Sequence, residues 1–502
     1  MSDVQAGGTA SAETTVVPPG PVDGPPGLAL GHAGVRTAAI LVGLVAVCFV
    51  VTQWLLVPRS RPTLWDEAIY LSQVTPGMRG AYFKAWHTRG IVLLVAPVTS
   101  LGGSVEAVRT YLTLLSGVAT VGAFGTWMRR IGVAAAIAAA LFSFAWVSLL
   151  SAAQVMPNYW AALLGVAATG MLLRRLEEPR VGRLVWATGL LAAMTFVRPT
   201  EGTLLFGGWV VAVLVVRRTA FRDLAWSAVA VALGWLPWVI EMSMRFGGVA
   251  GAIREARTGG HFGSVDVARN VLDHIAFAAG KKASDARPGA VWWALVVILA
   301  VLGLVRERGW RRAGAVLASA GGTALAAHYL LFVPAFTPRF LLPAYALAAV
   351  AAAIGLASLV RGGAFLRVVA AAIGVVVALG IVWQGSVLTE HIPDATYRST
   401  RAARIGTTMR RLADGRPCFF FTARDYPGIA LASRCQGSRF RGVPSADDLD
   451  RLGRGTRELF VVVIGRHRAA DPILGSLTPY RFETPKRLDW LLYHVPPDRS
   501  AA

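Results

Sequence analysis

Two adjacent carboxylates, Asp66 and Glu67, stand in "RPTLWDEAIYLSQV", residues 61–74, just after the first long apolar run of the chain. A carboxylate within hydrogen-bond reach of a hydroxyl can act as a general base, and acidic side chains can also hold a hard divalent cation such as Mg or Mn. The segment itself reads as a short helix. Pro62 to Trp65 looks like a helix start, with Thr63 and Asp66 at capping-box spacing. Asp66, Tyr70 and Gln73 would then share one face, with Glu67 beside them, while Trp65, Ala68, Ile69 and Ser72 share another. A helix lying on a membrane surface, carboxylates toward a cavity, fits this pattern. The plainer reading is that Asp66 caps the helix and Glu67 complements its dipole. The choice depends on which side of a membrane the pair faces and on what meets it there.

The elements that must position it are apolar spans. Hydrophobic residues make up 55% of the 502, and runs near twenty residues recur, so the chain reads as a mainly α-helical, polytopic membrane protein. About eleven spans are expected at 37–57, 108–128, 132–153, 156–176, 182–199, 201–217, 222–242, 289–306, 313–334, 338–360 and 366–388. Residues 1–36, rich in Pro, Gly and Ala, read as a disordered cytoplasmic tail, and the run after Arg36 as a retained span rather than a removed signal. The net charge of +22 is carried by arginine, since the only lysines are Lys84, Lys281, Lys282 and Lys486. These arginines fall mostly between apolar runs, which points to topology and lipid head groups and away from nucleic acid.

With the amino terminus in the cytoplasm, the turns "MRRIG", "RRLEEPRVGR", "RRTAFRD", "RERGWRR" and "RGGAFLR" fall inside with fifteen arginines. The short loops "AQVMP", "VRPTEG" and "PAFTPRF" fall outside with two. The apolar stretch 90–103 is short and contains Pro97. Spanning there would invert this asymmetry, so it reads as a surface or re-entrant helix. The 58–107 loop, the 243–288 loop and the region 389–502 then lie outside. Asp66 shares that side with Lys84, His87, Arg89, Arg198 and Arg339, and with Lys281 and Lys282 in the large loop. Phosphate is a stable leaving group that needs cations and donors more than a general acid, and these residues could grip it. Plainer readings stand beside this one: Arg198 pairing with Glu201 across a tight turn, Lys281 and Lys282 as solvated side chains, and His328, near the outer end of its span, bonding to a neighbouring helix.

The order of these segments resembles the type-C glycosyltransferases that use polyprenyl-phosphate sugars, among them the protein O-mannosyltransferases and the aminoarabinose transferases of lipid A. The resemblance covers about 37–388 and rests on the Asp-Glu pair of the first outer loop, the segment from Trp86 to Gly132, the turn "VRPTEG" and the span start "TPRFLLPAY". It implies sugar transfer, with inversion, from a polyprenyl-phosphate donor to a hydroxyl of an outer glycan, lipid or protein acceptor at a bacterial cytoplasmic membrane. Asp66 would be the base and Glu67 its helper, or either a metal ligand, with Tyr70, Asn158, Glu201 and His328 lining the substrate. Asn158 departs from the family, which often carries a further acid in its second outer loop; an amide cannot act as a base at neutral pH. A transporter or flippase of lipid-linked sugars is the rival from another class. Against it, the span centres are nearly free of ionisable residues, whereas ion-coupled transporters place them midway through the bilayer.

Residues 389–502 read as a small extracytoplasmic α/β domain. "PCFFFTA" and "ELFVVVIG" are buried-strand runs, and "YPGIALASRCQG" between them suggests a helix or a further strand. Cys48 lies in an apolar run, so Cys418 and Cys435 are the cysteines able to form a disulfide. No catalytic motif stands out in this region, and its "SRFRG" stretch and many arginines could meet an acceptor glycan or lipid head groups, a solvated surface being the plainer reading.

Overall fold

The computed structural model of the chain describes residues 32–78, 80–216, 220–258, 265–278, 280, 285, 287–334, 337–439, 457–464, 474, 477–482 and 490–495. Among these the protein is a helical bundle capped at one end by a small sheet. Helix α1 (His32–Leu56) is followed by the short helices α2 (Trp65–Ser72) and α3 (Gly90–Ser100), then by α4 (Val105–Gly125). A one-turn α5 (Met128–Ile131) leads into α6 (Ala134–Ser143) and α7 (Trp146–Ala152), which meet at a bend of 76°. Then come α8 (Pro157–Glu177), α9 (Val181–Val197), α10 (Pro199–Val216) and α11 (Phe221–Phe246). Two amphipathic helices, α12 (Gly248–Thr258) and α13 (Val267–Ala278), precede α14 (Arg287–Arg306), α15 (Gly309–Phe332), α16 (Leu342–Val360) and α17 (Ala364–Ala413).

Eight of the described helices are long and apolar enough to cross a membrane, or nine if α6 and α7 form one bent span. The eleven segments expected from sequence include two that miss this measure. Helix α9 has only 17 residues, and α8 opens on Pro157, Asn158 and Tyr159 and ends in Arg174, Arg175 and Glu177. Helix α3 has 11 residues, about half a bilayer thickness. The first span starts at His32, so residues 32–36, expected to be tail, extend it.

Helix α16 is the centre of the bundle, with 83% of its apolar window buried. Its sequence is dominated by Ala, whose small side chain lets neighbouring backbones approach closely. At Gly355 a Cβ would stand 1.8 Å from the Leu299 carbonyl oxygen of α14, so glycine is required there. At the basic end the arginine turns are knitted together. Arg130 pairs with Glu177, Arg361 pairs with Glu307, and Arg175 meets Asp223 at 3.1 Å.

Helix α17 runs without a break from its apolar half into the region that carries the sheet. Strand β1 (Cys418–Thr422) lies parallel to both β2 (Gln436–Arg439) and β3 (Glu458–Ile464). The antiparallel β5 (Trp490–Val495) and β4 (Tyr480–Phe482) extend the sheet to the order β2-β1-β3-β5-β4. The stretch after β1 supplies both expected alternatives, the helix α18 (Tyr426–Ser433) and then β2. Cys418 and Cys435 form a disulfide with their Cα atoms 4.9 Å apart. One face of the sheet buries Phe420, Phe460 and Trp490 against Ile405 and Met409 of α17 and Ile429 of α18. Ala81, from the segment after α2, belongs to that same core, and Met78 packs on it. The sheet region and the first connecting loop are therefore cemented by shared apolar burial.

Candidate functional site

Helix α2 carries the two carboxylates into opposite surroundings. Its N-cap is Leu64, and Glu67, three residues on, accepts a hydrogen bond from the Leu64 backbone N–H at 3.3 Å. The expected Thr63–Asp66 box is thus replaced by one built on Glu67. Residues Glu67 to Ser72 are all buried: Ile69, Tyr70 and Leu71 join the core of the helical bundle, and α18 packs against the helix from the sheet side.

Glu67 is fully buried against the equally buried Arg109 of α4, whose Nε and Nη2 donate to its two carboxylate oxygens at 3.0 and 2.6 Å. The remaining Arg109 donors reach the Arg59 carbonyl at 2.7 Å, the Arg61 carbonyl, and the Pro62 carbonyl at 3.4 Å. Burial alone would raise the Glu67 carboxyl. The Arg109 guanidinium overrides burial and holds it below the ordinary carboxylate range. Both Glu67 oxygens are thereby committed, and the side chain anchors the loop 59–62 and the start of α2 onto α4. Arg109 lies one residue inside the apolar run 108–128. An ionisable residue in a span was the signal that could have found this partner.

Asp66, one residue earlier, points the other way. Its carboxylate pairs with Arg339, and both side chains stay about a quarter exposed, 28% and 23%. They line a hollow of about 360 Å³ together with Thr63, Trp65, Met156, Ser399 and Asp425. Asp425 comes from the sheet region, stands just before α18, and accepts a hydrogen bond from Arg401 at 3.0 Å. Nothing in its sequence neighbourhood marked it.

A second cationic group approaches the same Phe340 ring as Arg339. Arg198, between α9 and α10, donates to Glu201 at 2.6 Å and to the Tyr329 hydroxyl at 2.8 Å, and that hydroxyl donates to Glu201 in turn. The Phe340 ring stacks on Tyr329 with centroids 5.0 Å apart, and the guanidiniums of Arg198 and Arg339 stand 5.9 and 5.7 Å from that ring centre. Tyr70 lies among these charges. Burial pushes its phenol up to about 12, with Arg198 and Arg339 pulling it down and Asp66 pushing it up. His328 stands beside this cluster, its ring 5.1 Å from that of Tyr329.

The other expected phosphate ligands are already engaged. Lys84 Nζ meets Glu255 at 2.8 Å, and the Ala85 N–H donates to the same carboxylate at 2.9 Å. Arg89 donates from Nε to both oxygens of Glu241 at 2.7 and 2.9 Å, and Arg245 shares that carboxylate at 2.9 Å. Glu241 and Glu255, on α11 and α12, thus strap the segment 84–89 in place. His87 is buried, accepts the Lys84 N–H on Nδ1 at 3.0 Å, and meets the Tyr70 ring edge-on at 5.8 Å. Asn158 is buried two residues beyond Met156, which lines the hollow, and its Nδ2 has no hydrogen-bond partner among the described residues. Lys281 and Lys282 lie outside the described residues.

A divalent cation finds little here to hold it. Asp66 is matched by a guanidinium, Glu67 has both oxygens bound, and among the described residues no three His, Cys, Asp or Glu side chains gather as a ligand set. The arrangement can instead hold an anion between Arg339 and Arg198, with one carboxylate beside it that is free to rearrange.

Comparison with known proteins gives the fold a precedent. No protein-family model and no curated protein matches the sequence. Among solved structures, ArnT from Cupriavidus metallidurans in the apo state matches with a TM-score of 0.64 and 14% identity, over 92% of this chain and 98% of that one. The same protein bound to undecaprenyl phosphate gives 0.63 and 14%, over 90% and 97%. The oligosaccharyltransferase of Archaeoglobus fulgidus tethered with an acceptor peptide gives 0.48 and 12%, over 92% and 74%. Over nearly its whole length the chain has the fold of ArnT.

Proposed function

We propose that this protein is a membrane glycosyltransferase that moves a sugar from a polyprenyl-phosphate donor to a hydroxyl of an acceptor at the outer face of the cytoplasmic membrane. The observation that carries the reading is the Asp66–Arg339 pair lining the hollow, with Arg198 sharing the Phe340 ring with Arg339. The donor phosphate sits between the two guanidiniums, which match its charge and can donate to several of its oxygens. In doing so it competes with Asp66 for Arg339, so the carboxylate is released for the acceptor when a donor is bound. The acceptor oxygen then attacks the anomeric carbon, the bond from that carbon to the phosphate oxygen breaks, and polyprenyl phosphate leaves with the electron pair. Asp66 takes the hydroxyl proton. Direct displacement inverts the anomeric centre. Glu67 is a positioning residue in this scheme: it fixes the helix that aims Asp66.

The lipid tail has a place beside the site. An apolar groove of about 750 Å³ runs between α3, α4, α8 and α9, lined by Leu93, Leu94, Leu163, Trp186 and Leu190. Its lining begins at Gly90 and Val197, the sequence neighbours of Arg89 and Arg198. A Cβ on Gly90 would stand 2.5 Å from the Val197 Cα, so only glycine lets α3 close against α9 here. A tail in the groove would bring its phosphate to the arginine side of that contact.

The test is turnover of a panel of polyprenyl-phosphate sugars by the purified protein, with Asp66→Asn in parallel. Sugar transfer or donor hydrolysis that disappears in Asp66→Asn supports the proposal. Turnover indifferent to that change, or lipid-linked sugar movement without bond cleavage, overturns it.

A further inference from the structure

Beyond the hollow, arginines that no transfer step uses gather around a second concavity. It measures about 1180 Å³ and lies between the end of α17, the disulfide edge of the sheet, and Gly77, Met78 and Gly80 of the segment after α2. Arg410, Arg411, Arg416, Arg434 and Arg457 line it, and among the described residues Asp414 is the one acidic side chain in the lining. Arg416 leans on Glu458. Arg410, Arg411, Arg434 and Arg457 have no carboxylate partner among the described residues. A concave wall of one sign focuses potential, and guanidiniums favour planar anions such as carboxylate and phosphate.

Two features connect this concavity to the reacting centre and tell against a membrane lipid as its ligand. Helix α18 lies along both hollows: Asp425 and Gly428 line the first, while Tyr426, Ala430, Ser433 and Arg434 line the second, with Arg434 at the opposite end of the helix from Asp425. Eight helical residues span about 12 Å, a reach of a few sugar units. The apolar span of α17 ends at Ile392, and the helix continues to Ala413, about 30 Å further along its own axis. Along that axis Arg410 and Arg411 stand about 27 Å past the last residue of the apolar span.

Resting on the transferase reading above, we propose that the basic concavity is an acceptor subsite for an anionic glycan. It would hold carboxylate or phosphate groups a few sugar units from the hydroxyl presented to Asp66.

Binding can be measured without any transfer. Full-length protein in detergent is titrated with an oligogalacturonate and, as a neutral control, a maltooligosaccharide of similar length, at low and at physiological salt. The oligogalacturonate is expected to bind and to weaken with salt, and the neutral sugar to bind at least tenfold more weakly. Arg410→Gln/Arg434→Gln is expected to reduce oligogalacturonate binding at least tenfold. These side chains are exposed, and an unchanged melting curve for the double variant verifies its fold; Arg411→Gln alone, expected to weaken binding several-fold, is the second variant. Asp66→Asn is expected to bind like the wild type. Equal binding of both sugars, no binding of either, or arginine variants indistinguishable from the wild type would overturn the proposal. Failure of the transferase reading shows separately, as absent turnover with binding intact.

Discussion

Asp66 and Glu67 are neighbours in sequence and belong to different worlds in the fold. Glu67 and Arg109 are wholly buried, bonded through two contacts, and tied by the same guanidinium to three backbone carbonyls. Asp66 and Arg339 share a single contact at the edge of an open hollow. One residue step, little more than a quarter-turn of helix, separates a closed electrostatic anchor from a pair that an incoming anion can part. The difference shows how one short helix can be rigid and reactive together: the buried pair fixes its direction, and the exposed pair is left free to exchange partners.

Removing each carboxylate in turn separates the two pairs most strongly. Glu67→Ala leaves the Arg109 charge buried and unpaired, which costs about 3–5 kcal/mol in such settings. A large fall in melting temperature, or loss of folded protein, is the expected result, whereas Asp66→Ala should cost no more than about 1 kcal/mol. Equal effects would mean that the two pairs do the same job. The buried pair also titrates. Because the Glu67 carboxyl lies below its usual value of 4.5, its contribution is complete above that pH and is lost as pH falls below it. Acid unfolding of Glu67→Gln should lack that component.

Catalysis is expected to reverse the ranking. Asp66→Asn keeps the shape of the side chain and removes the base, so transfer should fall by roughly 10²–10⁴-fold with little change in stability. A variant that folds and still turns over within a few-fold of the wild type would remove Asp66 from the role of base.

How far the sequence led can be judged on these same residues. The apolar runs were legible because bilayer thickness sets their length, and the arginine asymmetry because charge is sorted between loops. The "VRPTEG" turn and the "TPRF" start were legible as motifs, and the structure brings both their arginines to one aromatic ring. Partner identity was not legible. The choice of Arg109 for Glu67 spans 42 positions and that of Arg339 for Asp66 spans 273, and local pattern carries no record of either. Lys84 and Arg89 looked free because their counterions sit on α11 and α12, more than 150 positions away. The roof of the hollow was hidden for the same reason. Asp425 reaches the site only because α18 folds back onto α2.

Tyr70 tests the middle ground between anchor and hollow. Its phenol is buried among the site charges and pushed up to about 12 from an ordinary 10.0. The fold therefore favours the neutral form, and its contribution is complete below pH 10 and lost as pH rises through 12. Two pKa units correspond to about 3 kcal/mol, so alkaline unfolding of Tyr70→Phe should miss a component that the wild type shows. If both proteins unfold alike above pH 10, Tyr70 is solvated and belongs to the open side of the comparison.

The smallest effect is expected at the strap. Lys84 and Glu255 are 34% and 26% exposed, so solvent screens them and Glu255→Gln should cost under about 1 kcal/mol. Glu241 is 13% exposed and bridges two arginines, so Glu241→Gln should cost more. The two substitutions also separate two uses of the strap. If Glu255 only holds the segment 84–89 down, its amide variant keeps the donor KM of the wild type, since the amide still accepts the Ala85 N–H. If instead the pair stores a cation that moves onto the donor phosphate, freeing Lys84 lowers that KM by several-fold. Donor KM measured on both variants decides between a clamp and a second exchangeable pair. In the second case, the contrast drawn between Asp66 and Glu67 would extend along the whole rim of the site.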